Sequence, residues 1–186
     1  MSANLAILAS GGGSNAQALI DCLRTSSVAQ VAVVVSNKAD AFVLERARQA
    51  NIPAEVLTQP QDAAAMLELL ARYDIDFIAL AGYLKKIPNE VVAAFAGRIV
   101  NIHPSLLPKF GGKGMYGLRV HEAVLAAGEP ETGVTIHYVT EEYDEGAVIR
   151  QEKLAIQPDW DAATLQQHVL AIEHRLYAPT IEMLLR

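Results

Sequence analysis

Asn4-Leu5-Ala6-Ile7-Leu8-Ala9, followed at once by Ser10-Gly11-Gly12-Gly13-Ser14-Asn15, is the stretch whose reading decides the fold. The first six residues form an apolar run that is too short for a buried helix and shows no alternation with polar residues. That is what a strand covered on both faces requires. The glycines then let the chain reverse with φ > 0, and Leu19, Ile20 and Leu23 recur at helical spacing beyond them. A strand, a glycine turn and a helix in that order open a parallel α/β unit.

The pattern repeats. Val31–Ser36, Ala54–Leu57, Asp76–Ala81 and Ile99–Ile102 are further short β-type runs. Val43, Leu44 and Ala47 share one helical face between two of them, and Met66, Leu67 and Leu70 share another. Val134–Thr140 and Ala147–Ile156, joined by the polar turn Glu141 to Gly146, are expected to form a hairpin that extends the sheet. After Pro158 a long helical stretch carries Leu165, Val169, Ile172 and Leu176 on one stripe, with Pro179 expected to end or kink it. The expected fold is α/β: a doubly wound, mostly parallel sheet with a C-terminal hairpin extension and a long C-terminal helix. No repeat, low-complexity segment or linker divides residues 1–186, so one domain is expected.

Composition bounds the function. The chain has 186 residues, of which 52% are hydrophobic and 19% charged, which excludes a disordered chain. Its formal net charge of -6 makes it a poor general binder of nucleic acid. The single cysteine, Cys22, leaves no internal disulfide and fits a reducing compartment; a buried thiol on the first helix is expected. No apolar run approaches the ~20 residues that span a bilayer, and no basic leader precedes the first strand. A cytoplasmic protein without membrane partners is expected; no residue bears on oligomeric state.

The glycine turn has a chemical reading. A helix N-terminus offers unpaired N–H groups and the positive end of a dipole, and glycines let an anion approach them. Three successive glycines exceed what a turn needs, which favours a phosphate site over a simple cap by Ser14 or Asn15. Gly11, Gly13 and Ala16 also meet a loose dinucleotide spacing. The second strand, however, ends Ser36-Asn37-Lys38 with no acid to hold a ribose, so a single phosphate is the better reading.

The other informative segment is Asn101-Ile102-His103-Pro104-Ser105-Leu106-Leu107-Pro108. It closes the fifth strand, where open α/β sheets hold ligands, and alternation puts Asn101 and His103 on one side. An amide donor and an imidazole there could polarise a carbonyl and move a proton. Taken alone, His103 reads as readily as a histidine tied to nearby backbone. Asp144, in the turn Tyr143-Asp144-Glu145-Gly146, would raise the imidazole pKa if the two met, although a turn aspartate is common in itself.

The strings SGGGSN, NIHPSLLPKF, VHEAVLAAGE, TGVTIHYVTEEYDEGAVI and AIEHRLYAPTI, in this order, resemble the glycinamide ribonucleotide formyltransferases of purine biosynthesis. These belong to the folate-dependent formyltransferase superfamily, and the resemblance covers nearly the whole chain. It implies transfer of a formyl group from 10-formyltetrahydrofolate, as co-substrate, to the amine of glycinamide ribonucleotide. It further implies that Gly13, Ser14 and Asn15 hold the substrate phosphate and that Glu173 fixes the glycinamide end. Asn101 would donate to the formyl oxygen and contact the folate, His103 would transfer the proton, and Asp144 would set its charge. Leu84, Lys85, Lys86 and Ile87 would line the pteridine with their backbone. No metal is implied.

Three departures stand out. The run Gly111 to Arg119 is longer than usual and could be a lid or a simple insertion. Lys85 and Lys86 stand where an arginine and an aliphatic residue are common, and Thr58 to Ala65 offers no folate-binding arginine. His121 and His137 read as supports of the site, and His168 and His174 as residues of a solvated helix face. Three rivals remain open on sequence: a formyltetrahydrofolate hydrolase, a formyltransferase for another amine, and a non-catalytic phosphate-binding sensor.

Overall fold

A seven-stranded sheet in the order β3-β2-β1-β4-β5-β6-β7 organises the computed structural model, which describes residues 2–186. The elements run β1 (Ala3–Leu8), α1 (Ser14–Leu23), β2 (Ala29–Ser36), α2 (Phe42–Gln49), β3 (Ala54–Val56), α3 (Ala63–Arg72) and β4 (Phe77–Leu80). They continue with α4 (Asn89–Ala94), β5 (Ile99–His103), α5 (Leu118–Ala126), β6 (Glu131–Tyr138), β7 (Val148–Ala155) and α6 (Ala162–Leu184). The first five strands are parallel, whereas β6 and β7 pair antiparallel as a hairpin extension.

The unbroken apolar runs are explained by burial on both faces. Leu5, Ile7 and Ala9 point into one core with α1, α2, α5 and α6, while Ala6 and Leu8 point into a second core with α3 and α4. Strand order reverses direction between β1 and β4, and there the chain leaves a crevice beyond the strands' carboxyl ends. The glycine turn after β1, the loop after β4 and the end of β5 all open onto it.

Two helix starts are set by aspartates. The Asp62 carboxylate accepts the Ala65 N–H at 3.0 Å and the Asp161 carboxylate that of Thr164 at 2.7 Å. The fully buried Tyr177 of α6 donates its hydroxyl to the carbonyls of Leu80 (2.8 Å) and Val100 (3.2 Å), fastening α6 to β4 and β5.

Several expectations need correction. Cys22 is exposed, because α1 turns Ala16, Leu19, Ile20 and Leu23 inward and leaves residue 22 on the opposite side. Pro179 does not end α6, which continues to Leu184; its ring is on the exposed side, where the freed carbonyl of exposed Arg175 can meet water. His168 is exposed and stacks on Trp160 at 4.1 Å, but His174 is partly buried with Nε2 lacking a hydrogen-bond partner. Helices α4 and α5 were not foreseen. The first is six residues with two valines, and the second follows a glycine-rich run that hides its start. Among the described residues, no helix is long and apolar enough to cross a membrane.

Candidate active site

One cleft, of about 790 Å³, collects the chemistry-bearing residues singled out in the sequence. Gly11, Ser14 and Asn15 line it, as do Asn101, His103 and Asp144 and the stretch Leu84 to Ile87. Glu173 enters from α6.

The glycine turn is built around one strained position. Gly13 caps α1 in the left-handed region (φ 72°, ψ 35°), and a Cβ there would lie 2.4 Å from Val43 Cγ2. Val43 in turn donates its N–H to the Gly11 carbonyl at 3.1 Å, and Arg46 Nε donates to that of Gly12 at 2.7 Å. The carbonyls are thus taken from outside, and no atom lies within 4 Å of where a Cβ of Gly11 or Gly12 would stand. That leaves open room beside a helix N-terminus, as an anion requires. Gly13 itself is behind the cleft wall and shapes the turn, while Gly11, Ser14 and Asn15 face the cleft.

Ser10 ties this turn to the loop after β4. Its N–H donates to the Gly82 carbonyl at 3.0 Å, and its Oγ accepts the Leu84 N–H at 2.9 Å. The Leu84 amide is therefore already engaged; what Leu84, Lys85, Lys86 and Ile87 present to the cleft is the rest of their backbone and side chains. Tyr83 buries its hydroxyl in the same loop without a partner, and burial pushes its pKa up to about 12.

At the centre, β5 delivers Asn101 and His103 two residues apart, both lining the cleft. His103 is buried, and its Nε2 lies 2.8 Å from the Phe110 carbonyl. An imidazole facing a carbonyl there must carry its proton on Nε2, which leaves Nδ1 toward Asp144 Oδ2 at 3.7 Å. Asp144 adopts φ 56°, the left-handed region that aspartate tolerates in turns, and is held by the Gly112 N–H at 2.8 Å. Gly146 fits the same turn because a Cβ would meet the Tyr138 carbonyl oxygen at 1.7 Å. Asn101 Nδ2 lies 3.1 Å from His137 Nε2 and 3.5 Å from Asp144 Oδ1. His137 Nδ1 faces the Tyr138 carbonyl at 2.8 Å, so in the neutral ring Nε2 accepts from Asn101 and orients the amide.

The electrostatics qualify one expectation. Burial lowers the His103 pKa below 6.5 and outweighs the Asp144 charge, which raises it as foreseen. In the free protein the ring is therefore mainly neutral at pH 7, rather than held charged by the carboxylate. Burial also pushes Asp144 up, but His137, the His103 charge and the Gly112 N–H together hold it below the usual carboxylate range. Glu173 is buried, accepts the Asn15 Nδ2–H at 3.2 Å, and is raised by burial to about 7. Although it sits on a helix with a solvated side, Glu173 does not face solvent.

Within the glycine-rich run, Gly112, Lys113, Gly114, Met115, Tyr116 and Gly117 line the cleft rather than leaving it. His121, on the first turn of α5, lines it as well, as does Gln166 of α6. Sequence alone gave no sign of Gln166, although its spacing of four and seven residues from Leu170 and Glu173 marks one helix face.

Comparison with known proteins agrees with this architecture. The formyl transferase family profile matches residues 3–181. The chain is 43% identical over 185 residues to the chloroplastic phosphoribosylglycinamide formyltransferase of Arabidopsis thaliana, covering 95% of this chain and 63% of the relative. It thus spans about three-fifths of the length of the plant relatives it matches. It is 40% identical over 181 residues to the phosphoribosylglycinamide formyltransferase of Escherichia coli, covering 94% and 83% of the two chains. The crystal structure of glycinamide ribonucleotide transformylase 1 from Geobacillus kaustophilus superimposes with a TM-score of 0.91 at 39% identity, covering 100% of both chains. On the family match across nearly its whole length, this chain belongs to the formyl transferase family.

Proposed function

We propose that residues 1–186 form a single catalytic unit that transfers a formyl group from 10-formyltetrahydrofolate to the amine of glycinamide ribonucleotide. The observation that carries this reading is the convergence of Asn101, His103 and Asp144 at the centre of a cleft with an anion-ready glycine turn at its end. The cleft's volume suits two small substrates held together. In this reading Ser14, Asn15 and the turn shaped by Gly13 grip the phosphate, and Glu173 meets the glycinamide end. Leu84, Lys85, Lys86 and Ile87, with Asn101, border the folate.

The residues act as follows. The unprotonated amine attacks the formyl carbon, forming the new C–N bond and placing negative charge on the formyl oxygen. Asn101 Nδ2, held by His137, turns its second N–H from the long 3.5 Å contact with Asp144 to that oxygen; a donor of this kind is worth about 2.7–4 kcal/mol. Neutral His103, whose proton sits on Nε2 toward Phe110, receives the proton from the attacking nitrogen at Nδ1. Once charged, the ring is stabilised by Asp144 and supports the developing oxyanion. The proton then passes to the folate nitrogen as its bond to the formyl carbon breaks, so one proton leaves the amine and one reaches the departing nitrogen. The reaction needs no metal in this scheme. A single cysteine, which leaves no internal disulfide, suits the cytoplasm as its compartment.

The test is consumption of 10-formyltetrahydrofolate with and without glycinamide ribonucleotide. Formyl loss that depends on the nucleotide and yields its formylated product supports the proposal. Loss to water alone, or transfer only to another amine, overturns it.

A further inference from the structure

We propose that His121 is a positioning residue for the amine-bearing substrate, its ring hydrogen-bonding the glycinamide end so that the amine is aimed beside His103. This rests on the transferase reading above.

The ring is buried, lines the cleft, and leaves Nδ1 with no hydrogen-bond partner. Its neighbours are unlike it. His103 Nε2 is satisfied by Phe110, and both nitrogens of His137 are satisfied by Tyr138 and Asn101. A buried polar nitrogen without a partner costs stability and asks for an explanation. Nε2 has no protein partner either and is not closed off as Nδ1 is, so it is the nitrogen through which a ligand in the cleft can engage the ring.

Placement decides which ligand. Helix α5 packs on α6, and α6 packs on α1. These packed helices thus carry His121, Gln166, Leu170 and Glu173 on one wall, and Asn15 of α1 is bonded to Glu173. The loop assigned to the folate follows β4, outside these helices, and meets the glycine turn through Ser10. His121 thus shares its wall with the residues assigned to the phosphorylated substrate. The ring has the right chemistry for a glycinamide: burial and the neighbouring His103 push its pKa down to about 4, so it stays neutral and offers one donor and one acceptor. Asn101 and Asp144 are already engaged with each other and with His137 and Gly112, so His121 is the ring that joins Glu173 at the amide end of the substrate.

His121→Phe keeps a ring of similar shape and removes both nitrogens. It should raise the KM for glycinamide ribonucleotide about tenfold, the weight of one hydrogen bond, with the KM for the folate unchanged. His121→Gln, which reaches toward Nε2, should recover part of the loss. A folded His121→Phe protein with unchanged KM and kcat, or an equal rise in both KM values, overturns the proposal. Should His121→Phe not fold, the ¹⁵N shifts of the His121 ring in the unmodified protein decide. They should move when glycinamide ribonucleotide is added alone, and the absence of a shift overturns the proposal. If the parent protein transfers formyl to glycinamide ribonucleotide while His121→Phe is silent, only this inference fails; if the parent transfers none, the functional reading fails first.

Discussion

Replacing Gly13 with alanine tests the glycine turn at its tightest point. The backbone there is left-handed (φ 72°), which costs a non-glycine residue about 1–2 kcal/mol. The new Cβ would stand 2.4 Å from Val43 Cγ2, 2.6 Å from its Cβ and 3.1 Å from its Cα. Val43 is fully buried and its N–H is bonded to the Gly11 carbonyl, so it cannot retreat without dragging the turn. Overpacking of this kind adds about 1–3 kcal/mol. The combined loss of about 2–5 kcal/mol corresponds to a fall in Tm of roughly 4–20 °C for a chain of this size. Gly12→Ala is the control: no atom lies within 4 Å of its Cβ, and the stability change should stay within about 0.5 kcal/mol. Thermal unfolding reads the first effect, and initial rates against glycinamide ribonucleotide read the second. If the turn grips phosphate, Gly13→Ala should also raise that KM by about tenfold or more, since displaced N–H groups lose charge-assisted bonds. A Gly13→Ala protein with Tm within about 1 °C of the parent and the same KM would refute both the strain argument and the phosphate assignment.

Other outcomes follow from the same geometry. His103→Ala should lower kcat by about 10²–10⁴ with little change in either KM, measured by steady-state formyl transfer. Asn101→Ala should cost kcat about 10²–10³ through loss of the oxyanion donor, and a smaller effect would place that oxygen elsewhere. Asp144→Asn removes the charge that raises the His103 pKa, so the acid limb of kcat/KM should move to lower pH while the plateau falls. A limb that moves upward contradicts the pairing. Glu173, raised from 4.5 to about 7, favours the folded state when protonated; its contribution is full below pH 4.5 and is lost as pH rises to about 7. Glu173→Gln should therefore gain Tm over the parent across that window and keep the gain above it, as calorimetry at several pH values would show.

Much of this was legible in the sequence, for identifiable reasons. The central strands announce themselves because Leu5 to Leu8 must be apolar on both sides, and Gly11 to Asn15 stand out because turns seldom need three glycines. Asn101 and His103 share a strand, so their spacing fixes their relation. Asp144 reaches them only through the hairpin, in which β6 pairs with β5; its place depends on tertiary register that spacing does not carry. Cys22 was misjudged because residue type was weighed above helix phase. The balance at His103 was out of reach because burial and a nearby charge pull in opposite directions, and only coordinates show which is larger. His137 was expected to support the site, but its hold on the Asn101 amide is visible only from its Nδ1 contact.

The hydroxyl of Tyr177 that bridges the carbonyls of Leu80 and Val100 has a bearing on biogenesis. Helix α6 follows all seven strands in chain order, and so it leaves the ribosome after them. A nascent chain can hold its glycine turn and its Asn101, His103 and Asp144 while the wall that carries Glu173 is still untranslated. Until that tyrosine docks, the face of the sheet that α6 covers lies open, a state accessible to chaperones and proteases. Maturation of the cleft is thus timed by its last helix.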